Sequence, residues 1–539
     1  MRRISYTTLF VMLAATFLVA CGSSSSPDDG GDPPGACATD FSCGFNEECK
    51  GAGCAPITPA LRPHIQTASC LLRPPLDASE ATWRAFHNDL LIASFQPDEA
   101  RAANPNVRLF EYVVTRFNRF DRIGIPKTAM QWASAHGYDG EDFYLHYRED
   151  TIIPTWENRT IVPGYPTGMV PGWNPGGGGN PATAATRDQS RVVGYYYGTT
   201  EPWYFANMAD PGYRAFLVHN IAGLIDGTWY YNQKFASGPL DGVMIDDAIW
   251  YPMFGEGLLH RSDEYYGVSV NDGHPFTYTL ENSFPGLAID MRDEFGSARD
   301  IMPNYGHVLF LNYPNRCAQN IQDTTPWAYG EVWVSYTGTS SPTSGGNRCI
   351  SEDYDYEQGI RQIVKQTRAG GRRIVGARDT ASGPAGTDRG KLLTLGLYYL
   401  IHNAHTYYMY ESAGHAHGSH VSTWAWNPAV DFDIGQPDVI PAGKVDFDGK
   451  ANTREHYVFA TGPDPVNNAL TYRVHGRQFT NALVLVKLLP AGSTTDDSSI
   501  TTHTLDGTYV PLLADGNMGA PITQASIRNN EALILIPLN

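Results

Sequence analysis

The chain has 539 residues, of which 42% are hydrophobic, 17% charged and 12% aromatic, and its formal net charge is -18. That length exceeds one small domain and sets two or three folding units as the expectation. The acidic balance argues against nucleic acid as a partner, because phosphate binding is led by clustered Lys and Arg.

In chain order, the first residues read as an address. Arg2 and Arg3 form a positive start, and Leu9 to Ala20 is an apolar run too short to span a bilayer as a stable helix. It ends in Leu18-Val19-Ala20-Cys21-Gly22, which resembles the lipobox of bacterial lipoproteins. The resemblance implies that residues 1–20 are a signal peptide and that Cys21 is acylated. It also implies a chain anchored in the bacterial cell envelope, at the outer membrane or the cell surface. Residues 21–36, with the run SSSSPDDGGDPPG, read as a flexible linker.

Residues 37–77 form a cysteine-containing segment with Cys37, Cys43, Cys49, Cys54 and Cys70. An exported chain meets an oxidising compartment in which disulfides persist. Cys317 and Cys349 would pair across one excursion, whereas the early five are an odd set whose connectivity stays open. A zinc reading of Cys43, Cys49 and Cys54 lacks the usual two-residue spacing.

From residue 78 to 437, strand-like runs alternate with helix-like periods. The strands are expected at Arg108–Tyr112, Phe143–Tyr147, Val192–Tyr197, Gly242–Asp246, His307–Asn312, Gly330–Ser335, Arg373–Ala377 and Thr406–Glu411. Amphipathic helices are expected at Tyr213–Ile225, Leu280–Phe295, Tyr356–Ala369 and Lys391–His402. Eight strands with helical crossovers suit an α/β chain folded as a (β/α)8 TIM barrel. The breaker-rich stretch Pro163 to Thr186 reads as a loop over its mouth. Residues 438–539 lose the helical period, and Leu470–Val474, Asn481–Leu488, Tyr509–Leu512 and Ala532–Pro537 point to a C-terminal antiparallel β-sandwich.

The most informative stretch is Asp241-Gly242-Val243-Met244-Ile245-Asp246-Asp247, an apolar strand that stops in two carboxylates. Burying an unpaired carboxylate is costly, so such a strand delivers its acid to a cleft, and barrel enzymes build active sites at these strand ends. Successive residues alternate faces, so one of the two acids faces the axis, and Asp246 is the better placed. The second acid is expected from another strand: Glu331, at the start of its strand, or at the end if residues 325–329 belong to it. Glu411 is its rival. Two such carboxylates are the machinery of glycosidic hydrolysis, one protonating the leaving oxygen and one attacking or stabilising the anomeric carbon. Asp247, Trp250, Glu111, Tyr147, Asn312, Trp333, Arg378 and Glu411 are the expected substrate-lining set for a polyhydroxyl ligand.

His402, His405, His415, His417 and His420 lack the spacing of a closed metal site and read as surface or substrate-lining groups. Asp446-Phe447-Asp448-Gly449 opens like a calcium loop without its later ligands and reads as a turn. No GxSxG, HExxH, Walker or dinucleotide motif occurs, so serine-hydrolase, zinc-protease and nucleotide chemistry lack local support.

The Asp241–Asp247 strand, Gly330-Glu331-Val332-Trp333-Val334 and tail segments such as Tyr472-Arg473-Val474 and Asn481-Ala482-Leu483-Val484-Leu485-Val486 resemble the α-galactosidase-like superfamily. Within it they are most similar to the hypothetical glycosyl hydrolase 15 family. The resemblance implies a nucleophile at the end of the fourth strand, Asp246, and an acid/base on the sixth, Glu331. The family often has Asp where this chain has Glu331. The expected protein is thus a glycoside hydrolase needing no cofactor, acting on an extracellular or periplasmic carbohydrate. The alternatives are a lipid-anchored polysaccharide-binding protein without catalysis and a metal-dependent deacetylase using the histidines.

Overall fold

The computed structural model describes residues 47–50, 53–56, 64–71, 80–93, 96–115, 117–118, 129–143, 193–195, 202–206, 208, 210–228, 234–246, 286–304, 325, 327–336, 371–379, 384–412, 427–437, 457–493 and 499–538. In chain order the strands are β1 (Glu47–Lys50), β2 (Gly53–Pro56), β3 (Ala68–Leu71), β4 (Leu90–Ala93), β5 (Arg108–Val114), β6 (Phe117–Asn118), β7 (Val193–Tyr195), β8 (Pro202–Phe205), β9 (Gly242–Asp246), β10 (Asp300–Pro303), β11 (Trp327–Tyr336), β12 (Arg372–Asp379) and β13 (Thr406–Ser412). Six more follow: β14 (Val458–Pro463), β15 (Thr471–Gln478), β16 (Leu483–Lys487), β17 (Ile500–Leu512), β18 (Ile522–Arg528) and β19 (Glu531–Pro537). The helices are α1 (Glu80–His87), α2 (Pro97–Ala103), α3 (Ala129–His136), α4 (Pro211–Asp226), α5 (residues 286–295) and α6 (Pro384–Ile401). Among the described residues no helix is long and apolar enough to cross a membrane. The chain divides into two compact units, Leu109–Tyr305 with Tyr313–Trp327, and Met1–Arg108 with Gly306–Asn312 and Ala328–Asn539.

In the first of these units β9 lies between β5 and β10, parallel to both. Its run Val243-Met244-Ile245 is fully buried, as a strand covered on both faces requires. Helix α4 precedes it, started by Asp210, whose carboxylate accepts from the Tyr213 amide at 2.8 Å, with Pro211 in the first turn. Gly227 ends the helix with φ 89°, a left-handed value that glycine adopts without strain. Tyr213 then reaches back, donating its hydroxyl to the Thr115 carbonyl just after β5 at 3.2 Å.

Three expectations change in this unit. Phe143 closes a 3-10 turn, Gly140–Phe143, so no strand starts there, and residues 144–147 lie outside the described set. The strand expected at Val192–Tyr197 exists as β7, but it pairs antiparallel with β8 in a small sheet ordered β6-β8-β7 and takes no part in the parallel set. The parallel neighbour of β9 on the side away from β5 is β10, Asp300–Pro303, where no strand was expected, and the strand expected at His307–Asn312 lies outside the described residues.

In the other unit, β3 pairs parallel with β4 and β12 with β13, while a parallel bridge between Thr67 and Tyr408 joins the two pairs. Strand β11 flanks β12. Side chains from three strands meet in the interior, where Cys70 Sγ lies 3.7 Å from Met409 Sδ and the Tyr329 hydroxyl lies 3.9 Å from that sulfur. The tail is an antiparallel sheet ordered β14-β15-β16-β19-β17-β18. One hydrogen-bonded sheet replaces the two sheets expected of a sandwich because β17 is long. Its first half pairs with β18, its second half with β19, and the register shifts between Thr504 and Tyr509. Val474, Leu485, Leu505, Ile527 and Leu535 from five strands form the core.

Helix α6 packs on this sheet through a glycine. A Cβ on Gly396 would lie 2.5 Å from Ala532 Cβ and 3.1 Å from Val486 Cγ2. Arg477 of β15 binds the end of the same helix, donating through Nη1 to the carbonyls of Tyr399, Leu400 and His402 at 2.9–3.1 Å. Carbonyls at a helix C-terminus lack the full set of intrahelical donors, and the cation also complements the negative helix end. His402 is therefore neither surface nor substrate-lining. It is buried, with Nδ1 3.0 Å from the Tyr398 hydroxyl, which itself donates to the Thr406 carbonyl. Burial first, then the nearby Arg477 and His64, push its pKa down to about 3.

Two outcomes follow from this packing. Alanine favours a helix over glycine by about 1 kcal/mol, whereas overpacking costs about 1–3 kcal/mol. At 2.5 Å the clash wins, so Gly396→Ala should lower the urea midpoint and Gly396→Val should lower it further; an unchanged midpoint in both would refute the close approach. His402 stays neutral in the fold but takes a proton near pH 6.5 when unfolded. Its contribution is thus complete above that pH and lost as pH falls toward 3, at up to about 1.4 kcal/mol per unit. His402→Gln should flatten the decline in stability measured by denaturant melts between pH 7 and 4, and equal slopes for both proteins would rule this out.

Candidate active site

Asp246 is the last residue of β9 and is half-buried. Both of its carboxylate oxygens are held by neutral donors. The Tyr112 hydroxyl of β5 donates to Oδ2, and Asn304 Nδ2 donates to Oδ1 at 2.7 Å. The register explains why these three meet. Tyr112 is the partner of Met244 and Val114 of Asp246, so Tyr112 and Asp246 project from the same face of adjacent strands. Asn304 directly follows β10, whose last residue Pro303 is the partner of Ile245, and the Asn304 amide donates to the Ile245 carbonyl at 2.7 Å.

The opposite end of β9 is stitched as tightly. Asp241 donates its amide to the Leu109 carbonyl and accepts the Leu109 amide on Oδ2, both at 2.8 Å, while its own carbonyl accepts from the Asp300 amide at 2.9 Å. Gly242 then lets the three strands close up, because a Cβ there would lie 2.3 Å from the Asp300 carbonyl oxygen and 2.7 Å from the Phe110 ring. Below Tyr112 on the same face, the Phe110 ring meets the Trp327 ring edge-on, with centroids 5.3 Å apart, and both residues are fully buried. A carboxylate oriented from both oxygens on such a floor is prepared for nucleophilic or electrostatic work on a bound substrate. Each oxygen keeps lone-pair capacity beyond the bond it accepts.

The other expected residues divide into groups. Glu111 is 1% exposed and sits between Phe110 and Tyr112, so the pleat turns it away from the Asp246 face. Glu331 was expected at the start or the end of its strand, but it is the fifth residue of β11, because the strand starts at Trp327 and continues to Tyr336. Trp333 lies in the same strand. Arg378 and Glu411 are brought side by side as register partners near the ends of β12 and β13. Asp247, Trp250, Tyr147, Asn312 and Cys21 lie outside the described residues.

Sequence reasoning missed Tyr112 and Asn304. A signal for Asn304 was present: Ile301-Met302-Pro303-Asn304 repeats the form of Met244-Ile245-Asp246, an apolar run ended by a polar group. The proline concealed it. Tyr112 shares strand parity with Phe110 in a strand that was expected, yet only the register with β9 pairs it with Asp246.

No protein-family model matches the chain, and no curated protein sequence matches it. Solved structures with a similar course include Eubacterium rectale Amy13B, at TM-score 0.41 and 8% identity, covering 89% of this chain and 96% of that one. The isomaltulose synthase SmuA from Protaminobacter rubrum gives TM-score 0.37 and 10% identity over 87% of this chain and 92% of that one. Aspergillus fumigatus Ega3, in complex with galactosamine, gives TM-score 0.29 and 7% identity over 68% and 96%. At such scores these likenesses carry no functional argument.

The strand register makes one outcome specific. Gly242→Ala should destabilise the fold by about 3 kcal/mol, since the added methyl meets backbone that cannot step aside. A thermal melt within a degree or so of wild type would contradict the close approach of β9 to β10.

Proposed function

We propose that this chain is a glycoside hydrolase that cleaves O-glycosidic bonds with Asp246 as nucleophile and Glu331 as general acid/base. The observation that carries the reading is the Asp246 carboxylate, presented at the end of a parallel strand and oriented from both oxygens by Tyr112 and Asn304. Its fold would be a (β/α)8 barrel followed by the C-terminal antiparallel sheet. In such a barrel β3, β4, β5, β9, β10, β11, β12 and β13 would be the eight strands in chain order, and Asp246 would then close the fourth and Glu331 lie on the sixth. Those are the positions that the α-galactosidase-like resemblance implies.

In this mechanism Asp246 attacks the anomeric carbon while Glu331 protonates the departing oxygen, then removes a proton from the water that releases the sugar. That course needs the two carboxyls about 5 Å apart; a separation of about 6.5–9.5 Å would make Asp246 the base for a water and invert the centre. Arg378 and Glu411, with Asp247, Trp250, Tyr147, Asn312 and Trp333, would bind the sugar hydroxyls and ring faces. Acylated Cys21 would tether the enzyme to the cell envelope, where an acidic protein meets carbohydrate outside the cytoplasm.

The test is hydrolysis of a panel of aryl glycosides and polysaccharides, with the product anomer read by NMR. Asp246→Asn suits the comparison because it keeps the contacts: its amide oxygen still accepts from Asn304, and the Tyr112 hydroxyl can turn to accept from its Nδ2. Wild type should turn over at least one substrate, and Asp246→Asn should lose about 1000-fold or more in kcat with an unchanged melting temperature. Full activity in the variant removes Asp246 from the chemistry. Glycan binding without turnover by wild type would favour a polysaccharide-binding protein.

A further inference from the structure

We infer that Cys49 and Cys54 form a disulfide that clasps the N-terminal hairpin. Strands β1 and β2 pair antiparallel with the register Glu48↔Ala55, Cys49↔Cys54 and Lys50↔Gly53. The two cysteines are therefore directly opposed, with only Gly51 and Ala52 connecting the strands. Opposed residues of an antiparallel pair have Cα atoms about 4.5–5.5 Å apart, inside the range of about 4.4–6.8 Å that a disulfide spans. A two-residue turn closes with a hydrogen bond between its flanking residues, here Lys50 and Gly53. Alternation then makes Cys49 and Cys54 a non-hydrogen-bonded pair, the class with the shorter separation.

The sequence suits such a turn, because the two residues between the paired ones are Gly-Ala, and a type II′ hairpin reserves its first central position for glycine. A two-stranded hairpin is also marginal by itself in water, so a covalent link between its strands has a physical task. Among the early cysteines, no spacing in the sequence singled out this pair; the register does.

The bond forms by exchange with a disulfide donor, either an oxidising dithiol oxidoreductase or glutathione disulfide. One cysteine thiolate attacks the donor, its S–S bond breaks, and a mixed disulfide forms with release of one donor thiol. The second thiolate attacks the protein sulfur of that mixed disulfide, which closes the Cys49–Cys54 bond and expels the second donor thiol. Two electrons and the two thiol protons pass to the donor, so the donor is reduced and the hairpin oxidised.

Peptide mapping tests the link on the full chain, equilibrated with a glutathione/glutathione disulfide buffer and alkylated before digestion. Cleavage after Glu48 and Lys50 releases Cys49-Lys50 as a dipeptide, and cleavage after Lys50 and Glu80 releases the peptide from Gly51 to Glu80. Without reduction the dipeptide should stay attached to that peptide, and dithiothreitol should free it. That peptide also carries Cys70, so Cys54→Ser and Cys70→Ser separate the partners. Loss of the attachment in Cys54→Ser and its survival in Cys70→Ser is the expected result. An alkylated, unattached dipeptide from the oxidised wild type overturns the proposal, as does attachment that survives Cys54→Ser.

Discussion

The structure of the candidate site depends on one steric constraint, the absence of a side chain at Gly242. Three parallel strands converge there so closely that a Cβ would lie 2.3 Å from the Asp300 carbonyl oxygen. This approach sets the register in which β9 runs between β5 and β10, and the register carries forward without a break to the other end of the strand. Because side chains alternate strictly, the alignment at Gly242 decides which groups surround Asp246. Tyr112 and Asn304 reach the carboxylate as a consequence, and Glu111 does not. A chemical group at one end of the strand is thus positioned by packing at the other.

Buried polar groups impose a comparable discipline on the unit that holds the C-terminal sheet. Arg477 reaches from β15 to three carbonyls at the end of α6, in an interior where a backbone acceptor needs a partner. Within the sheet, Lys487 is fully buried and donates to the Ser499 carbonyl and hydroxyl at 2.8 and 3.1 Å, while the Ser499 hydroxyl donates to Asp464 at 2.6 Å. Burial alone would raise the Asp464 pKa. The Ser499 hydroxyl, the amides of Asn467 and Val466 and the charge of Lys487 outweigh it and hold the carboxyl below the usual range. Satisfied networks of this kind specify one arrangement of strands, since any slip in register strands a charge.

The helix α6 and the strands β5, β9, β12 and β13 were readable from hydrophobic pattern, and β9 was placed to the residue. The errors have a common cause. Strands β3, β4 and β10 contain four residues each, too few for a period to declare itself, and β10 ends in a proline that reads as a breaker. Conversely, Val192–Tyr197 has strand composition but pairs antiparallel, and composition says nothing about direction. Of the segments assigned to the parallel set before β9, Val192–Tyr197 was mistaken and Phe143–Tyr147 lies outside the described residues but for Phe143, while the strands β3 and β4 were missed.

What the sequence determined by itself is local: an apolar run ended by acids, helix starts and stops, and a tail of alternating strands. These follow from short-range rules, in which a few neighbouring residues decide the backbone. What only the tertiary structure decided is which side chains meet. Tyr112, Asp246 and Asn304 are separated by 134 and 58 residues along the chain, and their meeting is fixed by strand register. The long β17 merged two expected sheets into one for the same reason. Register is set by steric fit and hydrogen bonding between distant segments, and no window of adjacent residues contains that information.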